Sequence, residues 1–464
     1  MKKSLLWIVV LVLSISMVAA FSFAGCKKEA APAEEAVEEE VVAEEEAAVK
    51  EKPFEGVEIN LWTLENPLFT IAWKEIEPEL LEKEGIILKE IRVPHAQLEQ
   101  RIELLFRDQR GEVDIVTWPE DMGSRMKGEN YLMPLDSFIN DPDLTPPEWD
   151  FGDFIPEVLE NITWEEDGGL MGIPLATNSL ILFYRTDIFE EAGLTLPKTW
   201  EEYLETAKLL NNPEEGLYGN IIMAKGGENL YIGWIYMCIM ASLEGDLEGS
   251  FPYDMETYEI NVNTEAGKRA AEIIMEAMKY SSPDSLGYDW TLGQEAMQLG
   301  KGAMFMQWTN SKGMYQDPEK SLVVDKVMSV TIPGGSHPVR AAWVVGMLNS
   351  SQKKEAAWTV MRYIFDKEHQ LKYAINTDTA WTSIRRSISS DPELLEVWPD
   401  YQIIQEQLST AIPVPVEPGF KETHVILSRH LGKMVQGLVD IDTTLVNIEK
   451  DMRDAFINIG VLEE

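Results

Sequence analysis

The sequence has few cysteines, few histidines and little positive charge. It contains two Cys, five His, and 39 Lys and Arg against 80 Asp and Glu, for a net charge of −41. Such a chain has no basic surface for the phosphates of DNA or RNA, and it is unsuited to docking on anionic lipid headgroups. We therefore expect no nucleic-acid partner. With so many acids, neighbouring carboxylates arise by chance and do not indicate catalysis.

Common catalytic and metal-binding motifs are also missing. The sequence has no Gly-x-Ser-x-Gly elbow, no His-Glu-x-x-His and no phosphate-binding glycine loop. The five histidines lack the spacing of metal ligands, and Cys238 lies in an apolar stretch where a buried thiol is expected. We predict a chain that is not an enzyme and needs no metal or cofactor. A secreted glycoside hydrolase stays open on composition, because it would share the tryptophans and acids.

The first 26 residues have the pattern of a secretory signal. Lys2 and Lys3 precede a nearly apolar run over residues 5–20, which ends near Phe23-Ala24-Gly25-Cys26. This ending resembles the lipobox of bacterial lipoproteins, with Phe23 where Leu is usual. The resemblance implies removal of residues 1–25, lipidation of Cys26, and a protein held on the outside of a membrane. The alternatives are an ordinary signal peptide or an uncleaved anchor. An anchor stays open because the apolar run is close to the ~17 residues that a membrane span needs.

Residues 26–52 read as an acidic, disordered tether. From Lys27 to Lys52 there are ten Glu, four Lys and no aromatic residue. Such a segment buries too little apolar surface to offset the entropy lost on ordering, and its like charges extend it. The remaining residues 53–464 exceed what one hydrophobic core usually serves, so we expect two lobes.

Strands and helices alternate along the first half of the folded part. Residues 57–62, 86–93 and 114–117 are predicted strands, and residues 71–83 and 96–107 are predicted helices. Alternation of this kind is typical of a parallel sheet in an α/β fold. Further on, Thr199 and Glu202 form a capping-box pattern at a helix start, and residues 354–376 are predicted as one long helix.

Four stretches together resemble the extracellular solute-binding proteins of carbohydrate uptake, the maltose-binding protein relatives (family 1). Arg185-Thr186 is a departure, because the family usually has Asn followed by a variable residue. The stretches are Gly172–Leu175 with Leu182–Phe189, Glu191–Leu194 with Pro197–Trp200, Gly302–Phe305, and Ala356–Trp358. The resemblance implies a two-lobe periplasmic-binding-protein-like fold (type II), in which each lobe is a mainly parallel sheet flanked by helices.

The resemblance also implies lobe boundaries and a function. The N-terminal lobe is expected to comprise residues 53–174 plus 335–375, and the C-terminal lobe residues 178–332 plus 380–464. A sugar or oligosaccharide would bind in the cleft between them, and hinge closure would trap it for the permease of an ABC importer. We expect a monomer. The alternatives are the hydrolase, a sensor, or a binding protein for a non-sugar solute such as a glycerol phosphate or a polyamine.

A sugar site needs aromatic platforms and side chains that both donate and accept hydrogen bonds. The resemblance assigns ligand contacts to Trp118, Asp121, Asn178 and Tyr231. Trp118 and Trp62 could instead be core residues, and so could Trp234. Arg385 could meet an acidic sugar, although a surface ion pair is the safer interpretation. Position in the pattern adds further ligand candidates: Trp62, Glu65, Asn66, Glu120, Trp234, Trp308, Asn310, Trp343 and Trp381.

Overall fold

The computed structural model describes residues 52–107, 110–226, 230–244, 252–255, 257–335, 337–376 and 382–463. Residues 51–464 form one compact unit. The predicted signal, Cys26, the tether up to residue 51, and Trp381 lie outside the described residues. Within the described ranges, no helix combines the length and the apolar character of a membrane span.

The described strands form one large sheet and one small hairpin. The large sheet has eight strands in the order β2-β1-β3-β9-β6-β7, with β10 beside β9 and β8 beside β6, and the hairpin pairs β4 with β5. The strands are β1 Glu58–Leu64, β2 Ile87–Val93, β3 Ile115–Pro119, β4 Thr163–Trp164, β5 Gly169–Leu170, β6 Ile173–Arg185, β7 Met304–Trp308, β8 Val327–Val330, β9 Val339–Met347 and β10 Ile412–Pro413.

Helices cover both faces of this sheet. They are α1 Pro67–Glu79, α2 His95–Arg107, α3 Asp136–Ile139, α4 Pro156–Glu160, α5 Thr186–Ala192, α6 Trp200–Leu210, α7 Tyr231–Glu244, α8 Glu265–Met278, α9 Trp290–Gln298, α10 Lys354–Ile364, α11 Lys367–Ile375, α12 Pro392–Val397, α13 Tyr401–Ser409, α14 Phe420–Val435 and α15 Ile441–Asn458. The predicted capping box is confirmed at the start of α6. The predicted helix over residues 354–376 is instead two helices, because Asp366 caps the start of α11.

The sheet is mixed. Strand β1 pairs in parallel with β2 and β3, as the alternating pattern predicts. Strands β3 and β9, β9 and β6, and β6 and β7 are antiparallel. The chain leaves the first half of the molecule along β6 and returns along β9, so these two crossing strands must run in opposite directions.

Two large hydrophobic cores divide the folded unit. One contains β1 to β3 with α1 and α2, and the other contains β7, α7, α8 and α14. The division falls in β6 between Ala176 and Leu180, and in β9 between Val339 and Ala342. We call the two halves the first and second lobes. Cys238 is fully buried in the second core, as expected.

The beginning of the segment after residue 381 differs from its predicted placement, whereas Ile404, Leu408 and Phe420 lie in the second core as predicted. Ile384 joins the first core instead of the second. Arg385 is 1% exposed and donates to the backbone carbonyls of Phe365 and Trp149, and it pairs with Asp153 at 3.4 Å. The expectation of a surface ion pair at Arg385 is therefore wrong: this guanidinium is buried in the first lobe, where carbonyls and a carboxylate compensate its charge.

Candidate functional site

Three of the predicted ligand residues lie on one face of the crossing strands. In antiparallel pairs, residues directly opposite one another point to the same face, and so do alternate residues of one strand. Trp343 is opposite Ala176, and Trp308 is opposite Leu180. Asn178 lies midway between Ala176 and Leu180 on β6. Trp343, Asn178 and Trp308 therefore share a face, which we call the cleft face.

The two tryptophan rings on the cleft face are partly exposed, whereas Asn178 between them and the opposite face of the same strands are buried. Trp343 and Trp308 are half-buried, while Thr177 and Ser179 on the other face are fully buried. The strand positions opposite the two tryptophans are four residues apart, or about 13 Å at ~3.3 Å per residue. Since Asn178 is midway along that distance, a small solute could contact an amide and an aromatic ring on either side.

On the first-lobe side, an aromatic pair borders the cleft face. Trp343 packs against Phe69 of α1, with ring centroids 5.3 Å apart and an interplanar angle of 68°. Sequence reasoning missed Phe69, which has the helical spacing of an ordinary core residue. An edge-to-face pair of this kind contributes ~0.5–1.5 kcal/mol beyond its area burial, so Phe69 fixes the tilt of the Trp343 ring.

The predicted residues Glu65 and Asn66 lie where β1 runs into α1. Glu65 is exposed. Asn66 is the N-cap of α1, and its Oδ1 accepts a hydrogen bond from the backbone nitrogen of Leu68 at 2.9 Å. A cap of this type stabilises a helix by ~1 kcal/mol. Asn66 therefore has a structural role at the start of the helix that carries Phe69.

On the second-lobe side, three rings follow one another from the cleft face inward. Trp308 packs edge-to-face on Trp234, with centroids 5.9 Å apart, and Trp234 packs edge-to-face on His424, with centroids 4.1 Å apart. Tyr231 lies one turn before Trp234 on α7 and is half-buried. Burial raises the pKa of Tyr231, so its hydroxyl stays protonated and can donate.

Polar groups connect Asn178 to the loop after β7. The Thr309 hydroxyl lies 3.5 Å from Oδ1 of Asn178 and 3.3 Å from the hydroxyl of Thr382. The next residue, Asn310, is half-buried, and its Oδ1 is buried without a partner among the described residues. An unpaired buried carbonyl costs ~1–3 kcal/mol, and a ligand hydroxyl could supply the missing donor.

Two predicted tryptophans point away from the cleft face. Trp118 is opposite Val344, the neighbour of Trp343 on β9, so Trp118 and Trp343 lie on opposite faces. Trp62 is paired with Val116, which shares a face with Trp118. Strand alternation therefore places both Trp62 and Trp118 on the α2 side of the sheet.

The contacts of these two residues agree with that placement. Trp118 is 0% exposed and packs on Trp164, with ring centroids 5.8 Å apart. We correct the expectation for Trp118: it is a core residue of the first lobe. Trp62 is half-buried and lines a surface groove with Ile91, Arg101 and Leu104. Neither ring presents its face to the cleft.

Glu120 forms a buried ion pair and does not face a ligand. It is 1% exposed, accepts from the Asn161 amide at 2.6 Å, and lies 3.5 Å from Nη1 of Arg340 on β9. Burial raises the pKa of Glu120, and Arg340 opposes that shift. Arg340 is on the face of β9 opposite Trp343 and Ala341. This pair therefore joins the lobes behind the crossing strands, and we correct its assignment as a ligand contact.

Asp121 also has a partner in the other lobe. Its carboxylate lies 3.1 Å from Nζ of Lys421 at the start of α14. Arg125 and Glu422 form a second ion pair between the same segments, at 3.3 Å. Sequence reasoning assigned Glu120 and Asp121 to a ligand. In the structure, both carboxylates instead contribute to contacts between the first lobe and the second.

His424 is a buried neutral histidine. Burial, with a smaller contribution from Lys421, lowers the pKa of His424 to about 3. An unfolded histidine titrates near 6.5. As pH falls below ~6.5, the unfolded chain binds a proton that the folded chain refuses, so stability falls by ~1.4 kcal/mol per pH unit until about pH 3.

This shift predicts an acid sensitivity that one substitution removes. Between pH 8 and pH 5 the free energy of unfolding of the native chain should fall by ~2 kcal/mol more than that of the His424→Gln variant. Denaturant unfolding at both pH values measures the difference. Equal pH dependence in the two proteins would mean that the folded state accepts a proton at His424.

The structure has two lobes joined by antiparallel crossing strands, and aromatic rings and amides lie on one face of those strands. This is the architecture of a solute-binding protein. The chain belongs to the bacterial extracellular solute-binding protein family, whose model matches residues 66–371. The resemblance predicted from sequence is therefore confirmed.

Two named relatives are each 24% identical to this chain over the residues matched. The mannitol-binding protein of Pseudomonas aeruginosa is 24% identical over 286 residues, which cover 59% of this chain and 60% of that protein. A probable amino-acid ABC transporter periplasmic-binding protein of Sinorhizobium fredii is 24% identical over 259 residues, which cover 55% of this chain and 56% of that protein. The chain thus spans less than two thirds of the length of either relative.

Solved structures share the fold. A solute-binding protein from Agrobacterium radiobacter K84 in complex with ribitol has a TM-score of 0.74 at 21% identity, covering 87% of this chain and all of that one. Maltose-bound MalE3 of T. maritima has a TM-score of 0.74 at 19% identity, covering 86% of this chain and 99% of that one. The predicted two-lobe α/β fold is confirmed.

Proposed function

We propose that this protein is the extracytoplasmic substrate-binding subunit of an ABC importer and that it binds an uncharged sugar or sugar alcohol on the cleft face. Asn178 between the half-buried rings of Trp343 and Trp308 is the observation that carries the proposal. Rings pack on the C–H surfaces of such solutes, and amides both donate to and accept from their hydroxyls.

Three of the four relatives named above support the same ligand class, whereas the Sinorhizobium fredii protein is named for amino acids. The solved relatives above hold ribitol and maltose, and the Pseudomonas relative is named for mannitol. The amide of Asn178 and the unpaired oxygen of Asn310 offer neutral partners. An uncharged ligand is favoured because neither group compensates a charge. Tyr231, Trp234 and Phe69 complete the proposed site.

A thermal-shift screen of residues 53–464 tests the proposal. Sugars and sugar alcohols are compared with amino acids, polyamines and glycerol phosphates. Ligand at 100 times its Kd stabilises the native state by ~2.7 kcal/mol, which raises the melting temperature. A shift with a neutral polyol or sugar supports the proposal. A shift only with a control solute would replace the ligand class, and cleavage of the sugar during the assay would favour a hydrolase.

Membrane attachment through Cys26 is a separate part of the proposal. The Cys26→Ala chain should be released in soluble form and should bind ligand with unchanged affinity, because the folded unit begins well beyond the lipobox. Fractionation and titration calorimetry measure the two properties. A variant that stays on the membrane would point to an uncleaved anchor. A variant that loses affinity would show that the tether contributes to binding.

A further inference from the structure

Helices α7 and α14 touch at Gly233. A Cβ placed on Gly233 would lie 2.5 Å from Oγ of Ser428 and 2.7 Å from Cδ2 and Nε2 of His424. Real Cβ atoms do not approach so closely, so only glycine permits this contact. The imidazole of His424 therefore lies directly against the first turn of α7, which is the turn that carries Tyr231 and Trp234.

The hydrogen bonding of His424 selects one tautomer. Nε2 lies 3.0 Å from the backbone carbonyl of Leu230, immediately before α7. A carbonyl only accepts, so Nε2 carries the proton. The other nitrogen, Nδ1, is buried without a partner among the described residues. A second proton there would gain no acceptor, and Lys421 on the same helix opposes added positive charge, so the ring stays neutral.

The ring of His424 begins a series of ring contacts that reaches the cleft face. It meets Trp234 at 4.1 Å and 78°, and Trp234 meets Trp308 at 5.9 Å and 77°. Two perpendicular contacts in series leave the Trp308 ring little freedom to tilt. Phe420, one turn earlier on α14, adds a further contact to Trp234 at 5.8 Å.

We propose that His424 is a positioning residue for ligand binding, which through its bond to Leu230 and its contact with Trp234 fixes the orientation of Trp308. The inference rests on the proposed function of the cleft face. His424 itself is 2% exposed and acts on the ligand only through the two tryptophans.

Three variants distinguish the effect of the hydrogen bond from His424 to the Leu230 carbonyl from the effect of side-chain packing. His424→Phe keeps a ring but removes the donor. His424→Gln keeps an N–H that can reach the Leu230 carbonyl. His430→Gln is the matched control, because His430 is on the same helix and its Nε2 contacts Asp451 at 2.8 Å, away from the aromatic series. Each protein is labelled with 5-fluorotryptophan, and the Trp234 and Trp308 resonances are assigned with Trp→Phe variants.

We expect His424→Phe to move both resonances and to weaken binding of the sugar or polyol from the screen about fivefold, the effect of one lost buried hydrogen bond. His424→Gln should restore both properties in large part, and the control should match the native protein. Unchanged resonances in His424→Phe, or equal losses in the Phe and Gln variants, would overturn the inference.

A measurement on the native chain covers the case in which His424→Phe does not fold. Spectra of ¹⁵N-histidine-labelled protein should show His424 as the neutral Nε2–H tautomer from pH 8 to pH 5. A charged ring or an Nδ1–H tautomer would contradict the inference. If no sugar or polyol binds the native protein, the proposed function fails, while the fluorine spectra still decide whether His424 positions Trp308.

Discussion

Replacement of Trp343 by alanine is expected to weaken ligand binding by between tenfold and about a hundredfold. An aromatic side chain in a binding site contributes through burial of a large apolar area and through specific packing, and every ~1.4 kcal/mol lost is a factor of ten in Kd. Trp343 is half-buried, on the cleft face and held by Phe69, so its removal opens a gap in the ligand platform more than in the core. Titration calorimetry with the ligand found by screening measures the effect.

Trp62→Ala provides the matched control for this prediction. Trp62 is also a half-buried tryptophan on a strand of the first lobe, but it lies on the α2 side of the sheet. Its replacement should leave Kd within about twofold of the native value, which is less than ~0.5 kcal/mol. Similar losses in the two variants would show that the cleft face is not the ligand platform. Normal binding by the Trp343→Ala protein would remove that ring from the proposed site.

The contrast between Trp118 and Trp343 shows what the sequence could and could not predict about the site. The strand ending in Trp118 was recognisable from its apolar run, and the fold class followed from the alternation of elements. The face on which a strand residue lies depends on register, and a shift of one residue moves every side chain to the other face. Here the register of β3 is defined by its pairing with β9, which lies more than 200 residues further along the chain.

The acidic residues after β3 show a second limit. Glu120 and Asp121 follow a strand end, where polar residues often contact ligands. Their partners, Arg340 and Lys421, are separated from them by 220 and 300 residues. Local sequence carries no signal for such pairing in a chain with 80 acids and 39 bases. For Asn178, by contrast, the family pattern of its segment predicted a place where the chain crosses between lobes, and its contact with a ligand stays a prediction.

Loss of Arg340 is expected to have the largest effect on stability. The Arg340→Met variant should lose ~3–5 kcal/mol of unfolding free energy at pH 7, because a buried carboxylate then has no cation. Glu120 would keep the amide of Asn161 and the backbone N–H of Ala342 as neutral donors. Relative to the native chain, the variant should also gain stability as pH falls from 7 toward 5. Burial holds the pKa of Glu120 above its unfolded value, so the folded state binds the proton first.

The double variant Glu120→Gln with Arg340→Met distinguishes the effect of the ion pair's charges from the effect of its side-chain packing. Removal of both charges from a buried pair is often close to neutral, so most of the lost stability should return and the pH dependence that Arg340→Met adds should disappear. Urea unfolding of the native, single and double variants at pH 5 and pH 7 measures both effects. A loss below ~1 kcal/mol in Arg340→Met would mean that water reaches Glu120. A double variant as unstable as the single one would mean that the packing of the Arg340 side chain between the crossing strands, and not its charge, holds the lobes together at this point.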